Sequence, residues 1–144
     1  MSSRALQIRD AVVALLTTPP LTGIGAGGVS VDPDYAFAIT DLPAVAVYLG
    51  DEQAPDRSLI GALDHRLTVT VRVISGGGDA FATGDAVLVQ CFNRIMTDLT
   101  LGGMALDMTQ QGTRRTRDLL EKPVAVTEMD FAADYRTATT SLEV

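Results

Sequence analysis

Between His65 and Ile74 the chain alternates without interruption. Leu67, Val69, Val71 and Val73 are apolar, and Arg66, Thr68, Thr70 and Arg72 lie between them. Successive strand residues point to opposite faces, so this tract predicts a strand with one face in a core. The other face is left to solvent or to a neighbouring subunit. The pattern returns from Val124 to Tyr135, where Met129, Phe131, Ala133 and Tyr135 share one side and Glu128, Asp130 and Asp134 the other. Met104, Leu106 and Met108 alternate with Ala105, Asp107 and Thr109, which predicts a third such strand. Ala44 to Leu49 reads as a fourth, and Val29 to Val31 as a short fifth.

Two segments have helical period instead. Ala5, Ile8, Val12, Leu15 and Leu16 fall on one face of a helix from Ser2 to Leu16, with Ser2 or Ser3 as cap and Pro19-Pro20 as stop. From about Asp79 to Leu99 the stripe is Leu88, Cys91, Phe92, Ile95 and Leu99, and Gly84 weakens the first turns. Between these elements the chain reads as loop. Leu21 to Gly28 is glycine-rich, Asp32-Pro33-Asp34 is a turn signal, Gly50 to Asp64 is a long acidic loop around Pro55, and Gln110 to Lys122 is a polar loop. The tail after Arg136 reads as frayed. Segregated alternating strands with two helices predict an α+β fold: a mainly antiparallel sheet of four to five strands, both helices on one face.

At 144 residues, the chain suits a single domain spanning 1–144. Aromatic residues are 5% and Trp is absent, so the core must be built from aliphatic side chains. A single cysteine, Cys91, excludes an intrachain disulfide and fits a reducing compartment. The opening Met-Ser-Ser-Arg shows no signal-peptide pattern, and no apolar run approaches the ~20 residues of a membrane-spanning helix. The net charge of −7 argues against tight general binding of phosphates, although DNA could pass such a surface without sticking.

No motif assembles a reaction centre or a cofactor site. Gly23, Gly25 and Gly28 match G-x-G-x-x-G, but a dinucleotide fingerprint follows a strand and opens a helix, and here that order is inverted. Gly76-Gly77-Gly78-Asp79 joins a strand to a helix but lacks the Gly-Lys-Ser/Thr ending of a P-loop, so Asp79 reads as a helix cap. His65 stands beside Asp64, yet neighbours in a strand point apart and cannot converge on a metal or a substrate. Cys91 falls on the apolar stripe of a helix, and Asp32, Asp34, Asp51 and Glu52 lie in acidic loops. No catalytic residue, metal ligand or cofactor is expected.

Arg114, Arg115 and Arg117 form the one basic cluster, set in the expected polar loop. They suit either a solvated loop or an interface, since arginine is favoured where surfaces meet. Glu128, Asp130 and Asp134 form an acidic stripe. Opposite charges on separate surfaces would fit head-to-tail contacts in a ring. The acids could equally pair within the sheet, with Arg66 and Arg72 across from them.

The segment Asp98-Leu-Thr-Leu-Gly-Gly-Met-Ala-Leu-Asp-Met108 resembles the tail-terminator proteins of long-tailed bacteriophages, the minor tail protein U group. In that family a helix ends in a Leu-Gly-Gly turn, followed by a strand, a polar loop and a last strand. Ile8 to Leu16, Leu42 to Glu52, Arg66 to Val73 and Met129 to Thr137 are similar to further parts of the family in the same order. The resemblance implies a structural virion protein, a hexameric ring on the last ring of the tail tube. Its partners would be copies of itself, the major tail tube protein and a head-completion or neck protein. DNA would pass through the lumen without specific binding. The ring would stop tube growth and offer the head a joining surface at the tail-neck junction, after assembly in the host cytoplasm. Another neck component, such as a head-closure or connector protein, is the nearest alternative. A small enzyme or ligand-binding domain using Asp64 and His65 is a further one. Arg114, Arg115, Arg117, Glu128, Asp130 and Asp134 are the expected subunit contacts, chosen by charge alone.

Overall fold

The computed structural model describes residues 2–32, 41–53, 55–59, 61–77, 79–119 and 123–138. Pro33, Asp34, Gly78 and the tail beyond 138 lie outside them. The alternating tract beginning at His65 is the middle of a longer strand, β4 (Ala62–Gly76). Its neighbours are β2 (Ala44–Glu52) and β6 (Pro123–Ala138), both antiparallel to it. The sheet runs β1-β2-β4-β6-β5, with β1 (Val29–Val31) parallel to β2 and β5 (Asp107–Leu119) antiparallel to β6. A short β3 (Asp56–Leu59) also pairs with β4, continuing the line of β2. The fold is α+β, as expected.

Helix α1 (Arg4–Thr17) starts where the Ser3 side chain accepts the Leu6 N–H at 3.4 Å, and it buries Ile8, Val12 and Leu16 at a spacing of four. Helix α2 (Ala80–Met96) buries Ala80, Gly84, Val87, Leu88, Cys91 and Ile95. Both helices join Val45, Val47, Val69, Val71, Met129 and Phe131 in one core on a single face of the sheet. Arg94, in the last turn of α2, ties the helices together: it donates to the Leu15 and Pro20 carbonyls at 3.2 Å and also to the Pro19 carbonyl. Those acceptors are ends of α1 and its exit, carbonyls that a helix cannot satisfy itself.

Several expectations fail in instructive ways. The acidic loop from Gly50 to Asp64 is mostly strand, because β2 runs on to Glu52 and β3 resumes beyond Pro55. The polar loop from Gln110 is instead β5, and the Leu101–Gly103 segment before it is a 3-10 turn with Leu101, Gly102 and Gly103 at positive φ. Leu99 lies past the end of α2 and is exposed. Asp79 stands at the N-cap position, but its side chain makes no capping bond. Thr137 and Ala138, expected to be frayed, still belong to β6. The glycine-rich loop is not a loose connector: Gly25 donates to the Pro43 carbonyl at 2.6 Å and Gly27 to the Asp41 carbonyl at 3.0 Å. A Cβ on Gly25 would run into the backbone of Asp41 and Leu42, so close approach, not phosphate binding, explains that glycine.

Phe131 is fully buried and its ring lies 6.5 Å from that of Phe92, joining β6 to α2. Phe131→Ala should lower stability by about 3–5 kcal/mol, measured by urea denaturation, since the surrounding strands cannot close the cavity.

Candidate functional site

The polar face of the sheet carries most of the charged residues singled out in the sequence, and the register of β4, β6 and β5 decides whom each one meets. Arg66 stands opposite Asp134 and clasps it with two bonds, 2.9 and 3.2 Å. Arg72 stands opposite Glu128, 3.6 Å away, with its guanidinium 4.6 Å above the Tyr48 ring. Arg114, opposite Glu128 from the other side, reaches Glu128 at 3.3 Å and Asp130 at 2.5 Å. Thr70 donates to Asp130 at 2.8 Å, and Arg136 pairs with Asp64 at 2.7 Å. Each pair is partly exposed and screened by solvent, so each contributes little on its own. Their joint effect is to neutralise the face. Burial opposes the charged form of Asp130, but the Arg114 and Thr70 bonds outweigh it and hold the carboxyl below the usual range.

The basic cluster is therefore split. Arg114 and the acids Glu128, Asp130 and Asp134 meet one another inside the subunit, on the same face. Arg115 and Arg117 point to the opposite face, that of the helices, and have no carboxylate partner among the described residues. The two-residue period of the strand makes the split, and a bulge between Gln110 and Gly112 sets which residue numbers face the helices. Met108 and Gln110 stand opposite Ala133 and Phe131 on the helix side, whereas beyond the bulge Thr113 and Arg115 stand opposite Met129 and Thr127 there. One inserted residue reverses the parity of the strand. Arg115 then borders a groove of about 230 Å3 formed by Asp85, Leu88, Val89 and Phe92 of α2, Gln110 and Thr113 of β5, and Met129.

At the opposite end of the helix-facing side, β4 and β6 bring together residues distant in sequence. The His65 ring is 4% exposed and stacks on Tyr135 with centroids 4.6 Å apart. Its Nε2 is 2.8 Å from Thr137 Oγ1, and its Nδ1 is 3.3 Å from the Glu52 carboxylate, which also accepts the Tyr135 hydroxyl. Burial, then the hydrogen bond to Glu52, pushes the Tyr135 phenol up, so it stays protonated and donates. Asp64 faces away and pairs with Arg136, so the carboxylate of this histidine is Glu52. Nothing local in the sequence links them; only the path of β2 past β4 does. His65 and Tyr135 border a cleft of about 440 Å3 with Gln53, Asp64, Arg66, Leu106, Asp107 and Asp134, the Asp64 carboxylate being held there by Arg136. Hydroxyl, imidazole and carboxylate stand in the order of a nucleophile triad. Thr137, however, is 2% exposed and does not border the cleft, so the line serves to satisfy buried polar atoms.

Cys91 is fully buried in the core and its thiol is pushed up to about 12 by burial, which makes it inert as a nucleophile. Among the described residues no group of three or more His, Cys, Asp or Glu side chains is placed to hold a metal ion, and no helix is long and apolar enough to cross a membrane. The sequence matches no protein-family model, and a comparison with curated proteins also gives no match.

A depressed carboxyl stabilises the fold above its unfolded pKa and loses that contribution as pH falls through its folded value. Asp130→Asn should accordingly lower the denaturation midpoint near pH 7, with the gap to the wild type closing as the pH falls through and below the usual carboxylate range.

Proposed function

We propose that the chain is a tail-terminator subunit of a long-tailed bacteriophage: a structural virion protein that assembles as a ring, probed as a hexamer, on the end of the tail tube. The ring covers the growing end, stops further addition of tube protein, and presents a different surface to the head-completion protein. DNA passes through it unbound. No step of this mechanism is chemical. One observation carries the reading beyond the resemblance of the sequence. The two long edges of the sheet are unlike, and among the described residues no strand lies beyond β5 on one side or beyond the β2–β3 line near Glu52 on the other. A subunit with two different open edges is suited to head-to-tail contacts, which close into rings when the rotation between copies permits. The neutralised polar face supports the same reading, since a self-paired lattice of charges offers little grip to a polyanion.

Purified protein mixed with tubes of the major tail protein should cap them, giving six-fold rings in negative-stain images and tubes of fixed length. Tubes that keep growing in its presence would sink the proposal.

The competing reading, a hydrolase or ligand-binding domain, draws on the cleft beside His65 and on the line from Thr137 through His65 to Glu52. His65→Ala separates the two. On the terminator reading it lowers thermal stability and leaves capping of tubes intact; an enzyme would lose its turnover with this imidazole.

A further inference from the structure

His65 is the only histidine of the chain, and histidine is the side chain whose charge ordinarily changes between about pH 5 and 8. It is 4% exposed, so each state of the imidazole must find its hydrogen-bond partners inside the protein. The two nitrogens meet unlike partners. Nδ1 lies 3.3 Å from the Glu52 carboxylate, a group that can only accept. Nε2 lies 2.8 Å from the Thr137 hydroxyl, which can accept or donate. That hydroxyl has a second partner, the Ala138 carbonyl, at 3.2 Å. Tyr135 stacks on the imidazole and donates its own hydroxyl to Glu52. Among the described residues, the other charged groups beside His65 are those of the cleft. Asp64 and Arg66 point to the other face of the sheet, held by Arg136 and Asp134, and Asp107 of β5 lines the cleft beyond them.

We propose that His65 and Thr137 form a proton-operated switch: the imidazole takes up a proton at Nε2 without leaving its place, and the Thr137 hydroxyl turns over to meet it. Glu52 fixes one end. A bare Nδ1 would set its lone pair against a carboxylate oxygen, so Nδ1 carries a hydrogen in both states. In the neutral imidazole Nε2 is bare and accepts from the Thr137 hydroxyl. In the imidazolium Nε2–H donates to Thr137 Oγ1, whose own proton goes to the Ala138 carbonyl. Neither state leaves a ring nitrogen or the hydroxyl without a partner. A side chain at 137 that could only donate, or only accept, would strand Nε2 in one of the two states. The turn carries the state of His65 to Ala138, the last residue of β6, whose carbonyl gains a bond in acid. It also takes the pair of Glu52 and His65 from negative to neutral at the border of the cleft. The switch does not depend on the chain's assembling on tails.

A single histidine makes the test direct. Nitrogen NMR of the imidazole, followed from about pH 8 to 5, should show Nδ1–H as the neutral tautomer and a reversible titration in the folded protein. The carbonyl carbon of Ala138 should shift with the same midpoint. Thr137→Val leaves Nε2–H of the charged imidazole without an acceptor, so this variant should bind the proton about tenfold or more weakly. Its Ala138 carbonyl should no longer follow the titration, and Thr137→Ser should restore both behaviours. A neutral imidazole found as the Nε2–H tautomer would overturn the switch. So would a titration that Thr137→Val leaves unchanged, or a proton taken up only as the protein unfolds. The tautomer is read in the wild type, so the proposal stays open to refutation even if Thr137→Val fails to fold.

Discussion

Fifteen consecutive residue pairs join β4 to β6, and nearly everything else in the molecule is positioned by that ladder. On one side it sets Val69 against Phe131 and Val71 against Met129, which gives both helices a surface to cover. On the other it sets Arg66 against Asp134 and Arg72 against Glu128. A slip of one residue would exchange the two sides and drive the charges into the core. The register is thus fixed by hydrophobic burial, and the ion pairs follow from it. Their individual contributions are small, but as a set they add a penalty for every wrong pairing.

The electrostatic character of the surface follows from the same geometry. Four arginines and four acids on the polar face cancel locally (Arg66, Arg72, Arg114 and Arg136 against Asp64, Glu128, Asp130 and Asp134). The net negative charge therefore resides elsewhere, in part at exposed positions such as Asp51 and Asp85. Among the described residues, Arg4 on α1 and Arg115 and Arg117 on β5 are the arginines without a carboxylate or carbonyl partner. A small acidic subunit can in this way keep one broad face close to neutral while its unpaired charges lie elsewhere.

Strands with a covered face were legible because burial imposes a period on composition. β4, most of β6, α1 and α2 all show it. The strand expected from Met104 overlaps β5 only from Asp107 to Thr109: Met104 to Leu106 precede it, with Ala105 buried and Leu106 exposed, the reverse of the expected sides. The rest of β5 was not legible, since every residue from Thr109 to Arg117 is exposed and no core constrains its side chains to alternate. The bulge at Gln111 then breaks what alternation remained. β3 was hidden by Pro55 and by the acids around it, which read as loop although the backbone resumes its pairing with β4. The partners of Arg114 needed the position of the β5–β6 turn, and the partner of His65 needed the path of β2; neither is a local property. The separation of Asp64 from His65, by contrast, needed nothing beyond the two-residue period of a strand.

The bulge at Gln111 has an implication for how such a protein can change. β5 is read in two frames, one before the extra residue and one after it. Deleting Gln111 would remove the bulge and still leave Met108 opposite Ala133 and Arg114 opposite Glu128. The extra residue is absorbed where it stands, and the strand on either side of it keeps its partners. An insertion or deletion of one residue in an exposed edge strand can therefore be taken up in a bulge without re-aiming the charges beyond it or touching the core. Lineages of such subunits could change the length and local bend of this edge by that route while the fold beneath stays the same.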